Sequence, residues 1–218
     1  MRKPGELFAT LIRPRYIRFI PTGHRRLLQP LCCPVNESTM RARAFDLIKE
    51  KSFARGKFVL ASGRESSFYL DMKPTMFHPE GANLVAGLLL EKMKDRAVDY
   101  VGGLEMGAVP LVTAVSLVSA ETARPIPGFF VRKNVKDHGT KNRIEAARDL
   151  RGKNIVILED VTTTGGSSME AVLAAQEAGA QVVMVLTVVD RREGAAEFFA
   201  EKGLPFEWLF RIDEFLAA

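Results

Sequence analysis

The run Asn154-Ile155-Val156-Ile157-Leu158 ends in two carboxylates, Glu159 and Asp160, and is followed by Val161-Thr162-Thr163-Thr164-Gly165-Gly166-Ser167 and then by the helix-like residues 168–175. A continuous apolar strand needs cover on both faces, which is the condition of a parallel sheet. A glycine- and hydroxyl-rich turn between such a strand and a helix places backbone N–H groups at a helix N-terminus, where the dipole favours an anion. The paired carboxylates would repel that anion, so they should face hydroxyls or a bound cation. A ligand with a phosphate at one end and a diol at the other satisfies both halves. Read as plain structure, the segment is a capped strand-to-helix turn with Ser167 and Glu170 as its capping box. The spacing matches neither a P-loop nor a dinucleotide glycine motif.

The rest of the chain alternates in the same way. Helices are predicted at residues 40–54, from Pro79 onward, 108–120 and 193–202, and strands at 57–60, 67–70, 100–102, 126–131, 155–159 and 182–190. The helix at 108–120 is apolar nearly all round and is expected to be buried. The pattern implies an α/β fold with an open, mainly parallel sheet flanked by helices, and ligands at the carboxyl ends of the strands. Trp208 and Phe210 read as core. His78, before Pro79, reads as a helix-start residue, His24 carries no signal, and the scattered methionines read as packing.

Composition bounds the rest. The chain has 218 residues, 47% of them hydrophobic, enough for one core. Its net charge of +5 is deceptive. Arg2, Lys3, Arg13, Arg15, Arg18, Arg25 and Arg26 against Glu6 and Glu37 account for that whole surplus, so the remainder is neutral and gives no argument for nucleic acid. No apolar run is long enough to span a membrane. The only cysteines, Cys32 and Cys33, are adjacent, which disfavours a disulfide and suits a reducing, cytoplasmic setting. Residues 1–39, proline-rich and without period, are expected to be a basic, poorly ordered, dispensable extension. A transit peptide, an interaction tail and translated sequence upstream of Met40 are its competing readings. Residues 40–218 form the domain.

A second constellation is Arg132-Lys133-Asn134-Val135-Lys136-Asp137-His138-Gly139-Thr140-Lys141-Asn142-Arg143, with five lysines and arginines and one histidine against one acid. Such a loop repels itself unless it meets an anion, and pyrophosphate fits.

Together these segments resemble a known family. The acidic strand end with its Thr/Gly-rich loop is similar to the phosphoribosyl pyrophosphate (PRPP) motif of type I phosphoribosyltransferases. Arg132, Lys133, Lys136, His138 and Gly139 match the Arg-Lys-x-x-Lys-x-His-Gly loop of the orotate phosphoribosyltransferase family. Leu60 to Asp71 resembles that family's N-terminal Ser-Gly-x-x-Ser hairpin, and Val189-Asp190-Arg191-Arg192-Glu193-Gly194 its Asp-Arg turn. Purine phosphoribosyltransferases share the acidic motif but neither the loop nor the hairpin. Two alternatives stand beside this reading: another type I enzyme acting on a purine, and a non-catalytic relative that senses PRPP.

The resemblance implies a type I phosphoribosyltransferase-like domain with a small N-terminal helix and hairpin hood. It implies transfer of ribosyl 5-phosphate from PRPP to orotate, giving orotidine 5'-monophosphate and pyrophosphate in pyrimidine synthesis. PRPP would be bound by Arg132, Lys133, Lys136, His138, Glu159, Asp160, Val161, Thr162, Thr163, Thr164, Gly165, Gly166 and Ser167. Lys136, His138 and Asp160 would be catalytic. Thr163 and Arg191 would hold orotate, Arg191 gripping its carboxylate. Mg²⁺ would ride mainly on substrate oxygens with no dedicated protein ligand. A homodimer is implied, with the basic loop reaching the neighbouring site. Two family lysines are missing, at Ala61 and at Met106 of Glu105-Met106-Gly107. Lys73 could replace one of them.

Overall fold

The computed structural model describes residues 36–59, 63, 65–134, 143–145 and 149–218. The elements in chain order are α1 (Glu37–Lys51), β1 (Phe53–Val59), β2 (Glu65–Leu70), α2 (Lys73–Met76), α3 (Pro79–Met93), β3 (Tyr100–Gly102), α4 (Ala108–Ser119), β4 (Phe130–Val131), β5 (Ile144–Glu145), β6 (Asn154–Thr162), α5 (Gly166–Glu177), β7 (Gln181–Asp190), α6 (Ala195–Glu201), β8 (Phe206–Arg211) and α7 (Ile212–Ala217).

The central sheet has the order β3-β6-β7-β8, all parallel. The expected strand at 126–131 runs beside β3. It is joined by Val101 N–H to Pro127 O, Phe129 N–H to Val101 O and Val131 N–H to Gly103 O. Only Phe130–Val131 keeps regular geometry, paired antiparallel with β5. The hairpin β1–β2 stands apart as its own antiparallel pair.

Strand alternation divides the core. Val156 and Leu158 of β6 and Met184, Leu186 and Val188 of β7 face one side, packed with α1, α3, α4 and α7. Ile155, Ile157 and Val185 face the other, against α5 and α6. Both faces are covered, which explains the unbroken apolar runs. His78 is the N-cap of α3, its Nδ1 accepting from Gly81 N–H at 3.4 Å.

Several expectations are corrected. The first helix opens at Glu37, ahead of Met40, because the Asn36 side chain caps it by accepting from Ser38 N–H. It ends at Lys51, and β1 starts at Phe53, whose ring packs on Phe68 and Phe215. The helix α4 is not buried all round. Ala108, Leu111, Val112, Val115 and Ser119 are buried, while Leu117 is 72% exposed, since the helix forms an outer layer with only one covered side. Phe210 is fully buried, but Trp208 is half-buried on the edge strand β8, with the Arg211 guanidinium 4.0 Å from its ring centroid.

Candidate active site

The acid pair stands at the carboxyl end of β6. Glu159 is 6% exposed. The Ser168 hydroxyl, in the first turn of α5, donates to Glu159 Oε2 at 2.9 Å. Burial and the adjacent Asp160 charge push the Glu159 carboxyl up to about 8, against which the Ser168 bond acts. Asp160 is half-buried. Burial raises it too, while the Val161 N–H it accepts at 2.8 Å and the Lys73 charge pull it back. Gly107 abuts this carboxylate. A Cβ there would lie 2.7 Å from Asp160 Oδ1, so the turn after β3 approaches closely only because that residue is glycine.

Beyond the acids the chain makes the expected anion-ready turn, though not with the expected cap. Gly165 is the N-cap of α5 at φ 89°, a left-handed conformation, and a Cβ there would meet the Phe199 ring at 2.8 Å. The Ser167–Glu170 capping box does not form. Glu170 accepts instead from Arg143 Nη2 at 3.2 Å. The first-turn N–H groups of α5 therefore have no side-chain cap and are open to a ligand. Glu159, Val161, Thr162, Thr163, Thr164, Gly165, Gly166, Ser167 and Ser168 line a cavity of about 280 Å³. Within it the Thr162 hydroxyl is buried with no hydrogen-bond partner among the described residues.

Arg191 reaches the same place from β7. Its N–H donates to Thr162 O at 2.9 Å, tying the turn after β7 to the phosphate-type loop. Its side chain, 12% exposed, places Nη2 2.8 Å from Glu193 Oε1. Cζ lies 4.8 Å from the Phe68 ring centroid. This is more enclosed than a surface ion pair. Asp190, before it, is 2% exposed, and burial raises its carboxyl.

The turn after β3 faces the start of the basic segment. Glu105 Oε1 accepts from Lys133 N–H at 3.0 Å, and the Glu105–Met106 peptide is cis. Arg132 is held by Glu145, Nε to Oε1 at 2.9 Å, and its carbonyl accepts from Arg143 Nε. Arg132 and Lys133 thus stand at the same end of the sheet as the acids, with the Arg132 guanidinium engaged by Glu145. Lys136, His138, Gly139 and Lys141 lie outside the described residues, as do Ala61 and Ser62. Lys73 Nζ pairs with Asp71 Oδ1 at 2.7 Å. Burial alone would raise Asp71, but the hydrogen bonds and charge of Lys73 hold it below its ordinary value. Lys73 also acts electrostatically on Asp160, which puts a cation near the acid pair.

The sequence reading missed Ser168 and Phe68. The signal for Ser168 was the second hydroxyl of Ser167-Ser168 at a helix start beside an acid-ended strand. Phe68 carried no signal, since its meeting with Arg191 is tertiary.

A phosphoribosyl transferase domain model matches residues 77–199. The orotate phosphoribosyltransferase of Rhodopseudomonas palustris (strain BisB5) is 54% identical over 185 residues, 84% of this chain and 99% of that protein. The chain belongs to the orotate phosphoribosyltransferase family. Among solved structures, Mycobacterium tuberculosis orotate phosphoribosyltransferase in complex with Fe(III) dicitrate matches with TM-score 0.73 and 36% identity, over 81% of this chain and 98% of that one. The same enzyme in complex with PRPP matches with TM-score 0.70 and 35% identity over the same shares. An orotate phosphoribosyltransferase assignment agrees with the parallel sheet, the acid-ended β6 and the basic segment after Val131. Among the described residues no helix is long and apolar enough to cross a membrane.

Proposed function

We propose the following roles for this chain in the family's reaction, transfer of ribosyl 5-phosphate from PRPP to N1 of orotate with release of pyrophosphate. The observation that supports the assignment is the 2.9 Å bond from Arg191 N–H to Thr162 O, which sets the backbone of the residue proposed for the orotate carboxylate beside the loop proposed for the phosphate. Thr162, Thr163, Thr164, Gly165, Gly166 and Ser167 receive the 5-phosphate through loop and helix N–H groups and hydroxyls. Glu159 and Asp160 accept hydrogen bonds from the ribose diol. Asp160, the more exposed of the two, lies nearer the developing positive charge at C1, which a carboxylate stabilises. Arg191 grips the orotate carboxylate and Thr163 touches the base. Arg132 and Lys133 flank the pyrophosphate, and Lys136 and His138 neutralise its charge as it leaves. No covalent nucleophile is required, since positioning and electrostatics supply the rate.

Mg²⁺ fits this site as a cation carried on PRPP oxygens. Two carboxylates beside an anion loop suit a hard ion that arrives on its phosphates, and among the described residues no group of three or more His, Cys, Asp or Glu stands together. When bound, it supplies charge neutralisation at the pyrophosphate. The reading includes a homodimer in which Lys136 and His138 reach the partner subunit's site, and a cytoplasmic setting, supported by the lack of cysteine after Cys33.

The test is loss of orotate absorbance with PRPP and Mg²⁺, run beside adenine, guanine, hypoxanthine and uracil. Turnover of orotate alone is expected. Turnover of a purine in its place would overturn the base assignment, and no turnover of any base would overturn the catalytic reading.

A further inference from the structure

The Arg191 guanidinium is held on two sides, and one of its donors is left over. The Phe68 ring covers one face at 4.8 Å from Cζ. Glu193 Oε1 meets Nη2 at 2.8 Å. Nε lies on the same edge of the planar group as Nη2, and it is buried with no hydrogen-bond partner among the described residues. A carboxylate that fits this edge engages both nitrogens at once. Glu193, only two residues along the chain, pairs with Nη2 by charge and leaves Nε orphaned.

We infer that Glu193 is a residue that tunes the affinity for the base: an internal carboxylate that covers the base-binding edge of Arg191 and that the carboxylate of the incoming pyrimidine replaces. The inference rests on the reading of Arg191 as the partner of that carboxylate. A planar carboxylate conjugated to a pyrimidine ring can approach side-on and satisfy Nε and Nη2 together. The exchange turns one ion pair and one orphaned donor into two charge-assisted bonds. A base without a carboxylate gains nothing from the exchange. Either Glu193 stays on Arg191, or the enclosed guanidinium loses its counter-charge. The discrimination then comes from the bonds that the carboxylate-bearing base alone makes, and Glu193 sets how tightly that base is held. Phe68 serves the same end. A cation lying over a ring face is held to one plane, so its open edge points in one direction.

The test uses steady-state kinetics of the full chain with PRPP and Mg²⁺. Glu193→Gln keeps size and removes charge. It is expected to lower the KM for orotate about two- to fivefold, the scale of a partly exposed ion pair, without changing the KM for PRPP. Uracil, which brings no carboxylate to replace Glu193, should gain nothing from the change. Phe68→Leu should raise the KM for orotate and spare that for PRPP. Arg191→Ala separates the two levels of the argument. An unchanged KM for orotate in Arg191→Ala overturns the reading of Arg191 and the inference with it. If Arg191→Ala raises that KM while Glu193→Gln leaves it unchanged or raises it, Arg191 keeps its role and Glu193 as an internal competitor is overturned.

Discussion

Ser168 and Glu159 lie on consecutive elements, helix and strand, and meet in a buried hydrogen bond of 2.9 Å in which the hydroxyl donates to the carboxyl. Ser168 is 1% exposed, so no water replaces it easily. The bond fixes the rotamer of an acid whose task, in the proposed roles, is to meet the ribose diol.

Ser168→Ala is therefore expected to raise the KM for PRPP by about tenfold, equivalent to about 1.4 kcal/mol, with little change for orotate. Ser168→Thr, which keeps a hydroxyl, should recover most of the loss. Equal effects on both substrates would show a general packing defect instead.

The raised carboxyl of Glu159 predicts an inverted pH dependence of stability. In the unfolded chain this group ionises at its ordinary value of 4.5, whereas burial and the Asp160 charge hold it up to about 8 in the fold. Between those values the folded state keeps a proton that the unfolded state has lost, so this group lowers stability as pH rises from about 4.5 to about 8. Glu159→Gln should be more stable than the parent at pH 8.5, by at least ~1 kcal/mol, and similar to it at pH 4.5. Urea midpoints measured across this range test it. Parallel pH profiles for the two proteins would count against a retained proton.

Asp160→Asn keeps the shape and removes the charge. A charged acceptor is worth roughly 1.5–3 kcal/mol, so productive use of PRPP should fall about ten- to a hundredfold in kcat/KM while orotate binding is spared. Unchanged kinetics toward PRPP would remove Asp160 from the ribose site.

Lys136→Ala should lower kcat by about 10²–10³ with an unchanged unfolding transition, as loss of a charge-stabilising donor at a leaving group does. Kinetics within a few-fold of the parent would deny this lysine a catalytic part.

A chain beginning at Val35 should fold cooperatively and turn over orotate, because the domain's first helix opens at Glu37 behind its Asn36 cap. A chain beginning at Met40 lacks that cap and the first turn. It should fold with about 1 kcal/mol less stability. Loss of cooperative unfolding in the first of these would give residues 1–34 a structural role.

The acid-ended strand, its loop and the Asp-Arg turn were legible because each is contiguous in the chain and each obeys a short-range rule. The apolar run predicted a doubly covered strand, and β6 and β7 are that. The cap of α5 was misread because Ser167-x-x-Glu170 satisfies the capping pattern, whereas Arg143 takes Glu170 and a left-handed Gly165 begins the helix. The outer side of α4 was misread for a related reason. Apolar character says that a face can be buried, not that a neighbour exists to bury it. The start of β1 at Phe53 depends on Phe215, far along the chain, and no local pattern announces it.

The register of β6 against β7 sets Thr162 opposite Asp190, so the loop proposed for the phosphate and the turn proposed for the base leave from neighbouring strands at the same level. Their offset is then one inter-strand spacing, about 4.8 Å, set by backbone hydrogen bonds rather than by side chains. In the proposed roles the sheet acts as a ruler between the two substrates. A lineage could exchange the residues after Asp190 to accept a different base, and the sugar would still be delivered at an unchanged distance.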